Sequence, residues 1–248
     1  MTIRVLVLAI MVLMAMNRAW AGDSNWNTPV YFIDKLFPPI TTLLAAFIGA
    51  YFAFELQRRK DKKDRQDRDI AAANIAIFTL AMQANKLHNL KTKHVDPHKN
   101  NPMAFIEMEP VTGLDLEPLS IDTNSLSFLL QTPDPNLLGE IAVANADYLA
   151  AIDAFKQRAR LHIEELQPKA EQAGIELGKK YTTGDLKQRI GERLWVSLEL
   201  ATTQCRQHVD SAIQVVEVAG AKLKKATIAA FPETELKVIE FALPKNKL

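Results

Sequence analysis

A run of nineteen residues without a charged side chain, LFPPITTLLAAFIGAYFAF from Leu36 to Phe54, places the strongest constraint on this 248-residue chain. A helix of that length is roughly 28 Å long, about the thickness of the hydrocarbon core of a bilayer. The fifteen residues that follow, Glu55 to Asp69, include twelve charged ones. A buried helix of a soluble protein is the alternative, but the charged flank favours a transmembrane helix over residues 36–56.

The basic residues directly after this run predict its orientation. The cytoplasmic flank of a membrane span is enriched in Lys and Arg. Five such residues form what we call the topology cluster: Arg58, Arg59, Lys60, Lys62 and Lys63. The loop before the span, residues 22–35, has Lys35 as its only basic residue. We therefore expect the chain after residue 57 to lie in the cytoplasm.

Acidic residues alternate with this cluster and predict that the helix continues beyond the span. Asp61 and Asp64 precede Arg65 and Arg68 by four residues, which is the favourable order for ion pairs on a helix. We interpret the segment as a solvated helical stalk. Its basic residues can also contact anionic lipid, at roughly 1 kcal/mol per residue near the surface, although the interleaved acids weaken that contact.

Residues 1–21 form a second apolar segment whose role is open. Arg4 precedes twelve apolar residues, VLVLAIMVLMAM, and the triplet Ala19-Trp20-Ala21 follows them. This order of charge, apolar core and small residues is typical of a cleavable signal peptide. The other interpretation is a retained first span, which would make residues 22–35 a short external loop. In both cases the chain starts inside and crosses outward.

Three small residues of the predicted span, Ala45, Gly49 and Ala53, recur every four positions. This spacing allows two membrane helices to approach closely. The face is predicted to pack against the first apolar segment or against another copy of the chain, and ordinary membrane composition is the alternative. Because the span contains no ionisable residue, the sequence does not indicate a pump or a selective channel.

The rest of the chain predicts a mainly α fold. After the stalk, apolar residues recur alternately every three and four positions in three segments, which is typical of long helices that pack along one stripe. The predicted stripes are Ile70, Ala73, Ile77, Leu80, Ala84 and Leu87; then Leu138, Ile141, Asn145, Tyr148, Ile152, Phe155, Ala159, His162 and Leu166; and then Leu194, Leu198, Ala201, Cys205, Val209, Ala212, Val216, Ala219, Leu223 and Ala226. We expect an N-terminal membrane segment followed by a long-helix antiparallel cytoplasmic bundle with one long irregular connection. Residues 57–94 would be the stalk and first bundle helix, 95–134 the connection, and 135–248 the remaining helices and C-terminal tail.

Local signals predict where these helices begin and end. Asp134 is placed to cap the second helix, with Pro135 at its first position. Gly174 is expected to end that helix, and the sequence Thr182-Thr183-Gly184-Asp185 to begin the third with Thr182 as its cap. Gly191 lies inside the predicted third helix without a local reason. After Pro232, the segment LKVIEF is predicted to form a short strand that could pair with AFIEM at residues 104–108.

The connection is acidic although the formal net charge of the whole chain is only +1. Nine acidic residues and no Lys or Arg lie between Asn100 and Phe155. A segment of this length is rarely a passive linker in a compact domain. We predict a docking surface for a basic partner, centred on Glu107, Glu109, Asp115 and Glu117. A solvated loop that balances the basic C-terminal helices is the alternative.

No motif for catalysis, a cofactor or a metal is present in the sequence. It lacks a glycine-rich phosphate loop, a nucleophile elbow, CxxC and HExxH. His94, Asp96 and His98 are close in sequence, but Pro97 prevents the helical presentation that a histidine pair usually needs. We predict His162 and His208 to be packing residues, Cys205 to be a buried small hydrophobe, and Asn145 to determine helix register. We expect no enzymatic activity and no direct sequence-specific binding of nucleic acid.

The layout as a whole resembles the small two-span membrane effectors of bacterial anti-phage defence, in particular those encoded beside retron reverse transcriptases. The resemblance rests on the apolar start VLVLAIMVLMAM, the span LFPPITTLLAAFIGAYFAF, the charged stalk, and SLSFLLQTPDPNLLGEI before a long helix. It implies a toxin-like protein of the inner membrane. A reverse transcriptase with its RNA–DNA product would hold it inactive, and release would let it damage the membrane. A non-toxic membrane-tethered scaffold that recruits a cytoplasmic complex is the other function considered, and homo-oligomerisation is compatible with both.

Overall fold

The protein is described by a computed structural model that covers residues 29–176, 179 and 181–232. These residues form helices and short irregular connections, with no β-strand within the described ranges. This confirms the predicted mainly α class. The chain divides into two compact units, residues 1–62 and 63–248. We call the described part of the second unit, residues 63–232, the helical unit.

The first helix, α1, is Pro29–Leu90 and contains the uncharged run. From Ile40 onward its side chains are described, and those of the run are largely exposed, with Leu43 and Phe47 each 72% exposed. The segment Ile40–His98 is long and apolar enough to cross a membrane by length and composition, because one window has a mean hydropathy of 1.4 and none of that window is buried. The signal-like segment 1–21 and residues 22–28 of the predicted loop lie outside the described residues.

The helical unit contains the remaining elements. A π-helical turn, Lys91–Val95, and a 3-10 turn, Asp96–His98, follow α1. The connection then holds the single-turn helix α2, Ala104–Glu107, and 3-10 helices at Gly113–Leu116 and Thr123–Gln131. Helix α3 is Leu137–Arg160, and it continues through a π-helical segment, Leu161–Leu166, into α4, Gln167–Gln172. Helices α5, Thr183–Ile190, and α6, Glu192–Ala230, complete the order.

The three predicted apolar stripes are confirmed by burial. Every residue of the first stripe is at most 1% exposed, and in the third only Ala226 is partly exposed. In the second stripe, Leu138, Asn145 and His162 are partly exposed and the others are buried. Burial of each large apolar side chain contributes roughly 1.5–3 kcal/mol to folding, so these stripes account for why α1, α3 and α6 stay together.

Two hydrophobic clusters result from this packing. The larger one joins α1, α3 and α6, and the 3-10 helix Thr123–Gln131 adds Leu126, Phe128 and Leu129 to it. The smaller cluster is formed by Phe105, Leu166, Ile190, Leu194, Trp195 and Leu198. In it the ring of Phe105 meets that of Trp195 edge to face, with 4.7 Å between the centroids. The connection therefore contributes side chains to both clusters and is not a free loop.

Some predicted helix boundaries are confirmed and others are wrong. Thr182 caps α5, since its hydroxyl accepts a hydrogen bond from the Asp185 N–H at 3.2 Å. Gly174, with φ of 64°, ends α4: its N–H bonds the Glu171 carbonyl and the next N–H bonds that of Ala170, a Schellman arrangement. Asp134 does not cap α3, which begins at Leu137 after Asn136 and has no side-chain cap.

Gly191 is the reason that the predicted third helix is two helices. It has φ of 87° and ψ of 143° and separates α5 from α6. Side-chain-bearing residues rarely adopt this backbone conformation. The glycine that had no local explanation in the sequence is therefore the residue that permits the break.

Two further expectations are corrected. The predicted strand AFIEM is helical, because Ala104–Glu107 forms α2; its supposed partner LKVIEF lies outside the described residues. On the stalk, the predicted ion pairs of Asp61 with Arg65 and of Asp64 with Arg68 do not form. Instead Gln57 donates to Asp61 at 2.8 Å, and Arg59 pairs with Glu55 at 3.1 Å. The Glu55–Arg59 pair keeps the predicted order, with the acid four residues before the base, but it involves other residues.

Candidate functional site: the acidic connection

The acidic connection carries its carboxylates at the surface of the helical unit. Glu107, Glu109 and Glu117 are exposed, and the side chain of Asp115 is outside the described set. Glu107 lies on α2 and accepts a hydrogen bond from the Asn101 amide at 2.6 Å. Glu109 follows it two residues later, and Glu117 follows the 3-10 turn Gly113–Leu116. Three of the four predicted docking residues are therefore available to a partner.

A buried arginine holds the first part of this segment in place. Arg158, on α3, is 1% exposed. Its Nε donates to the Thr202 hydroxyl at 3.0 Å, and its Nη1 donates to the Glu109 carbonyl at 3.3 Å. Its Nη2 donates to the backbone carbonyls of Phe105 and Met108. One guanidinium thus binds three carbonyls of the segment that carries Glu107 and Glu109.

The partners of Arg158 are neutral, which is unusual for a buried charge. Burial, with a smaller contribution from the positive charge of Arg206, lowers the pKa of Arg158 to about 10. The guanidinium remains charged at neutral pH, and its hydrogen bonds to carbonyl dipoles compensate for the lost hydration. Without it, the carbonyls of Phe105, Met108 and Glu109 would lose this donor in a largely dry environment.

Sequence analysis missed Arg158, although a signal for it exists. Ala144, Ala151 and Arg158 are spaced by seven residues on α3, and all three are buried. Residues spaced by seven lie on the same face of a helix, so Arg158 is expected to point inward as the two alanines do. The small alanine side chains leave room for the long aliphatic part of the arginine. The burial of Arg158 was therefore indicated by its spacing from the alanines and not by its residue type.

A polar network fixes the later part of the connection. Gln83 of α1 is fully buried, and its amide donates to the Asn145 side-chain oxygen and to the Leu119 carbonyl, both at 2.9 Å. The same Asn145 oxygen accepts the Ile121 N–H at 3.2 Å, and the Leu119 N–H donates to the Tyr148 hydroxyl at 3.4 Å. Asn145, which was predicted to determine helix register, binds the connection at Ile121 and α1 at Gln83.

The surface of the connection has a shallow, open depression beside Glu117. A cavity of about 390 Å³ is lined there by Val111, Leu116, Glu117, Lys156 and Ala159, among others. Most of its lining is apolar, and it also includes one acidic and one basic residue, Glu117 and Lys156. Such a shape suits a protruding side chain of another protein, because few polar groups need to be desolvated.

Of the singled-out histidines and the cysteine, His162 and Cys205 occupy packing positions and His208 does not. His162 lies with its Nε2 3.3 Å from the Ile106 carbonyl, and burial, assisted by Arg158, lowers its pKa. His208 is exposed. Cys205 is fully buried, and burial raises the pKa of its thiol to about 12. Within the described ranges, His94, Asp96 and His98 do not join other ligands in a group that could hold a metal.

The residues predicted to act at the membrane are all exposed. This applies to Ala45, Gly49 and Ala53, and a Cβ added at Gly49 would meet no atom within 4 Å. It applies also to the topology cluster. The face of small residues is thus open, as a surface for another helix or for lipid would be.

Comparisons of the chain with protein-family models, with curated protein sequences and with solved structures found no match. The site is therefore described by its own chemistry. It is an acidic surface with one shallow depression, and a buried arginine and an amide network hold it in place.

Proposed function

We propose that this protein is a membrane-anchored, toxin-like effector of a bacterial anti-phage defence system. A cytoplasmic partner complex would keep it inactive, and it would act on the inner membrane when released. The observation that carries the membrane part is the exposed, uncharged run of α1 followed by the topology cluster. The defence role follows from the resemblance to retron-associated two-span effectors.

In this proposal the helical unit is an antiparallel bundle in the cytoplasm. The order of contacts supports the antiparallel arrangement. Glu140 pairs with Lys222 at 2.7 Å while Arg158 bonds Thr202 at 3.0 Å, so residue numbers fall along α6 as they rise along α3. His88 with Glu217 and Lys91 with Asp210 repeat that order between α1, with the turn after it, and α6.

The acidic connection would be the surface that the partner binds. A reverse transcriptase binds nucleic acid and therefore carries basic surface, which complements exposed carboxylates such as Glu107, Glu109 and Glu117. Electrostatic complementarity of this kind mainly increases the rate of association and excludes wrong partners. Because Arg158 and Asn145 hold the connection, little ordering would be required on binding.

The scaffold is the second candidate, and the same preformed surface favours it. A surface that is already ordered suits a partner that stays bound under all conditions. The two functions differ in what the chain does alone. An effector would act on the membrane when the partner is missing, whereas a scaffold would remain harmless.

Expression with and without the neighbouring genes tests the proposal. We expect the chain alone to lower colony counts and to depolarise the inner membrane, and co-expression of the partner reverse transcriptase with its RNA to restore both. A reporter fused after Leu248 should be active only as a cytoplasmic fusion, which establishes topology in the same cells. Normal growth and membrane potential with an inserted, partner-free protein would refute the effector and leave the scaffold.

A further inference from the structure

The outer face of α1 in the helical unit carries no charge where a solvated helix would carry several. Residues 70–85 contain no Asp, Glu, Lys or Arg, and Asp69 and Lys86 bound this stretch. At the chain average of 24% charged residues, sixteen residues would include about four. A helix that is uncharged on every face is normally covered on every face.

The structure leaves that outer face open. Three large apolar side chains point outward from it: Ile75 is 68% exposed, Phe78 57% and Met82 42%. With three smaller exposed residues they form a line spaced alternately by four and three positions, which we call the outer stripe: Ala71, Ile75, Phe78, Met82, Asn85 and Asn89. It lies opposite the buried stripe Ile70 to Leu87. Helix α1 therefore carries two heptad seams, and only the inner one is covered by the helical unit.

We propose that the outer stripe is the contact surface for a second copy of this chain, which joins it as a parallel pair of α1 helices. The absence of charge on the stripe favours a second copy as its partner. In a symmetric helix pair each seam residue meets its own copy, so a charge would meet a like charge. An uncharged stripe is complementary to itself, whereas a basic partner complements the acidic connection instead. The parallel direction rests on the proposed function, because copies anchored in one bilayer with the same topology share one direction.

The size of the stripe predicts how strong this contact is. An aromatic side chain buries about 150–250 Å² when fully covered, and Ile and Met side chains lie near the lower end of that range. The exposed fractions of Ile75, Phe78 and Met82 therefore offer on the order of 300 Å² per copy, compared with ~800 Å² in a standard interface. Such a contact is weak in free solution. Confinement of two copies to one membrane would raise their effective concentration and so favour the pair.

The C-terminal half of the stripe favours a single register. Asn85 and Asn89 occupy seam positions, where polar residues fix register at some loss of stability. A cavity of about 230 Å³ opens beside them, and it is lined by Met82, Asn85, Lys86, Asn89, Leu90, His94 and Leu119. A side chain of the second copy can enter this cavity. It would do so in one register only, so the cavity favours that register.

Disulfide cross-linking of the full chain in native membranes tests the pair. A cysteine introduced by Ala71→Cys or by Phe78→Cys should yield a disulfide-linked dimer on mild oxidation. The native Cys205 is buried and should not react. Leu200→Cys is the matched control, since Leu200 of α6 is also 57% exposed but lies off the stripe. It should yield no dimer.

A charge placed in the stripe supplies the second measurement. In the Ala71→Cys protein, Phe78→Glu should lower the cross-linked fraction by more than about tenfold, because like charges would face each other. Leu200→Glu should leave the fraction unchanged. Both positions are exposed, so the far-UV circular dichroism of the helical unit should be preserved in each variant.

Each other outcome contradicts the proposal. Equal cross-linking at Leu200 would mean random collision. Cross-linking at Phe78 without cross-linking at Ala71 would mean that the two helices are antiparallel. If Phe78→Glu abolished binding of the partner protein but left the dimer unchanged, the outer stripe would be the binding surface for the partner protein. Carbonate extraction of the same membranes measures insertion separately, so a failure of the anchor is distinguishable from a failure of the pair.

Discussion

The polar residues inside the helical unit act on the connection more than on the helices. Arg158 binds backbone carbonyls at Phe105, Met108 and Glu109, and Asn145 accepts the N–H of Ile121. A buried polar group is retained only where it finds partners, because an unsatisfied one costs about 1–3 kcal/mol. These two residues therefore convert an irregular acidic segment into a surface with a defined shape.

Replacement of Arg158 by methionine tests this role. Arg158→Met keeps a long apolar stem but removes all five donors, so the carbonyls of the 105–109 segment lose their partner. We expect a loss of roughly 1–3 kcal/mol in the free energy of unfolding. Amide hydrogen exchange should also become faster, specifically across residues 104–110.

The control for that change is Arg160→Met. Arg160 lies two residues further along α3 and is exposed, so its replacement should alter neither stability nor exchange measurably. Equal exchange rates at residues 104–110 in the two variants would show that Arg158 does not hold the connection. Denaturant unfolding monitored by circular dichroism measures the stability difference.

At the scale of the helices, two features matter: the two stripes of α1 and the break between α5 and α6. Helix α1 has a fully buried inner stripe and an uncharged outer stripe, so one helix can serve both folding and association. Between α5 and α6, Gly191 changes the chain direction with a single positive φ. Phe105 and Trp195 pack beside this break, in the smaller cluster.

Substitution of two glycines by alanine should have opposite effects. At Gly191, with φ of 87°, an added Cβ meets no atom within 4 Å, so the cost is backbone strain of about 1–3 kcal/mol. At Gly139, inside α3, a Cβ also meets nothing, and alanine should stabilise the helix by roughly 0.5–1 kcal/mol. Denaturation midpoints of the two variants should therefore shift in opposite directions. Stabilisation by Gly191→Ala would contradict this account of the break.

Acidic and basic residues are concentrated in different parts of the chain. Nine acidic residues and no Lys or Arg lie between Asn100 and Phe155, and the topology cluster lies directly after the span. Surface charges act over about 10 Å at moderate ionic strength. The sorted charges would therefore give the proposed membrane end and the proposed docking surface different electrostatic character.

Reversal of the connection's charge tests partner docking. Changing Glu107, Glu109, Asp115 and Glu117 to lysine should reduce co-purification with the partner reverse transcriptase, and the reduction should be largest at low salt, where electrostatic steering is strongest. The matched control reverses four exposed acids elsewhere: Glu164, Glu165, Glu171 and Glu199. The control changes net charge equally but should leave recovery unchanged. Full recovery of the first variant at low salt would mean that the connection is solvated surface only.

Features that depend on local spacing were predictable from the residues in order. The uncharged run, the three buried stripes, the caps at Thr182 and Gly174, and the burial of Cys205 all follow from periodicity or from the conformational preference of one residue type. Each of these is decided within one or two helical turns. The mainly α class and the membrane-length helix follow from the same local signals.

Features that depend on contacts across the chain were not predictable in this way. The inward position of Arg158 requires carbonyls supplied by residues about fifty positions away, and the helical form of AFIEM is favoured by the packing of Phe105 on Trp195. The outer stripe of α1 has the same spacing as the inner one, and only the packing of α3 and α6 determines which seam is covered. The spacing of residues shows that a helix face is apolar. Whether that face is buried depends on which other helices pack against it.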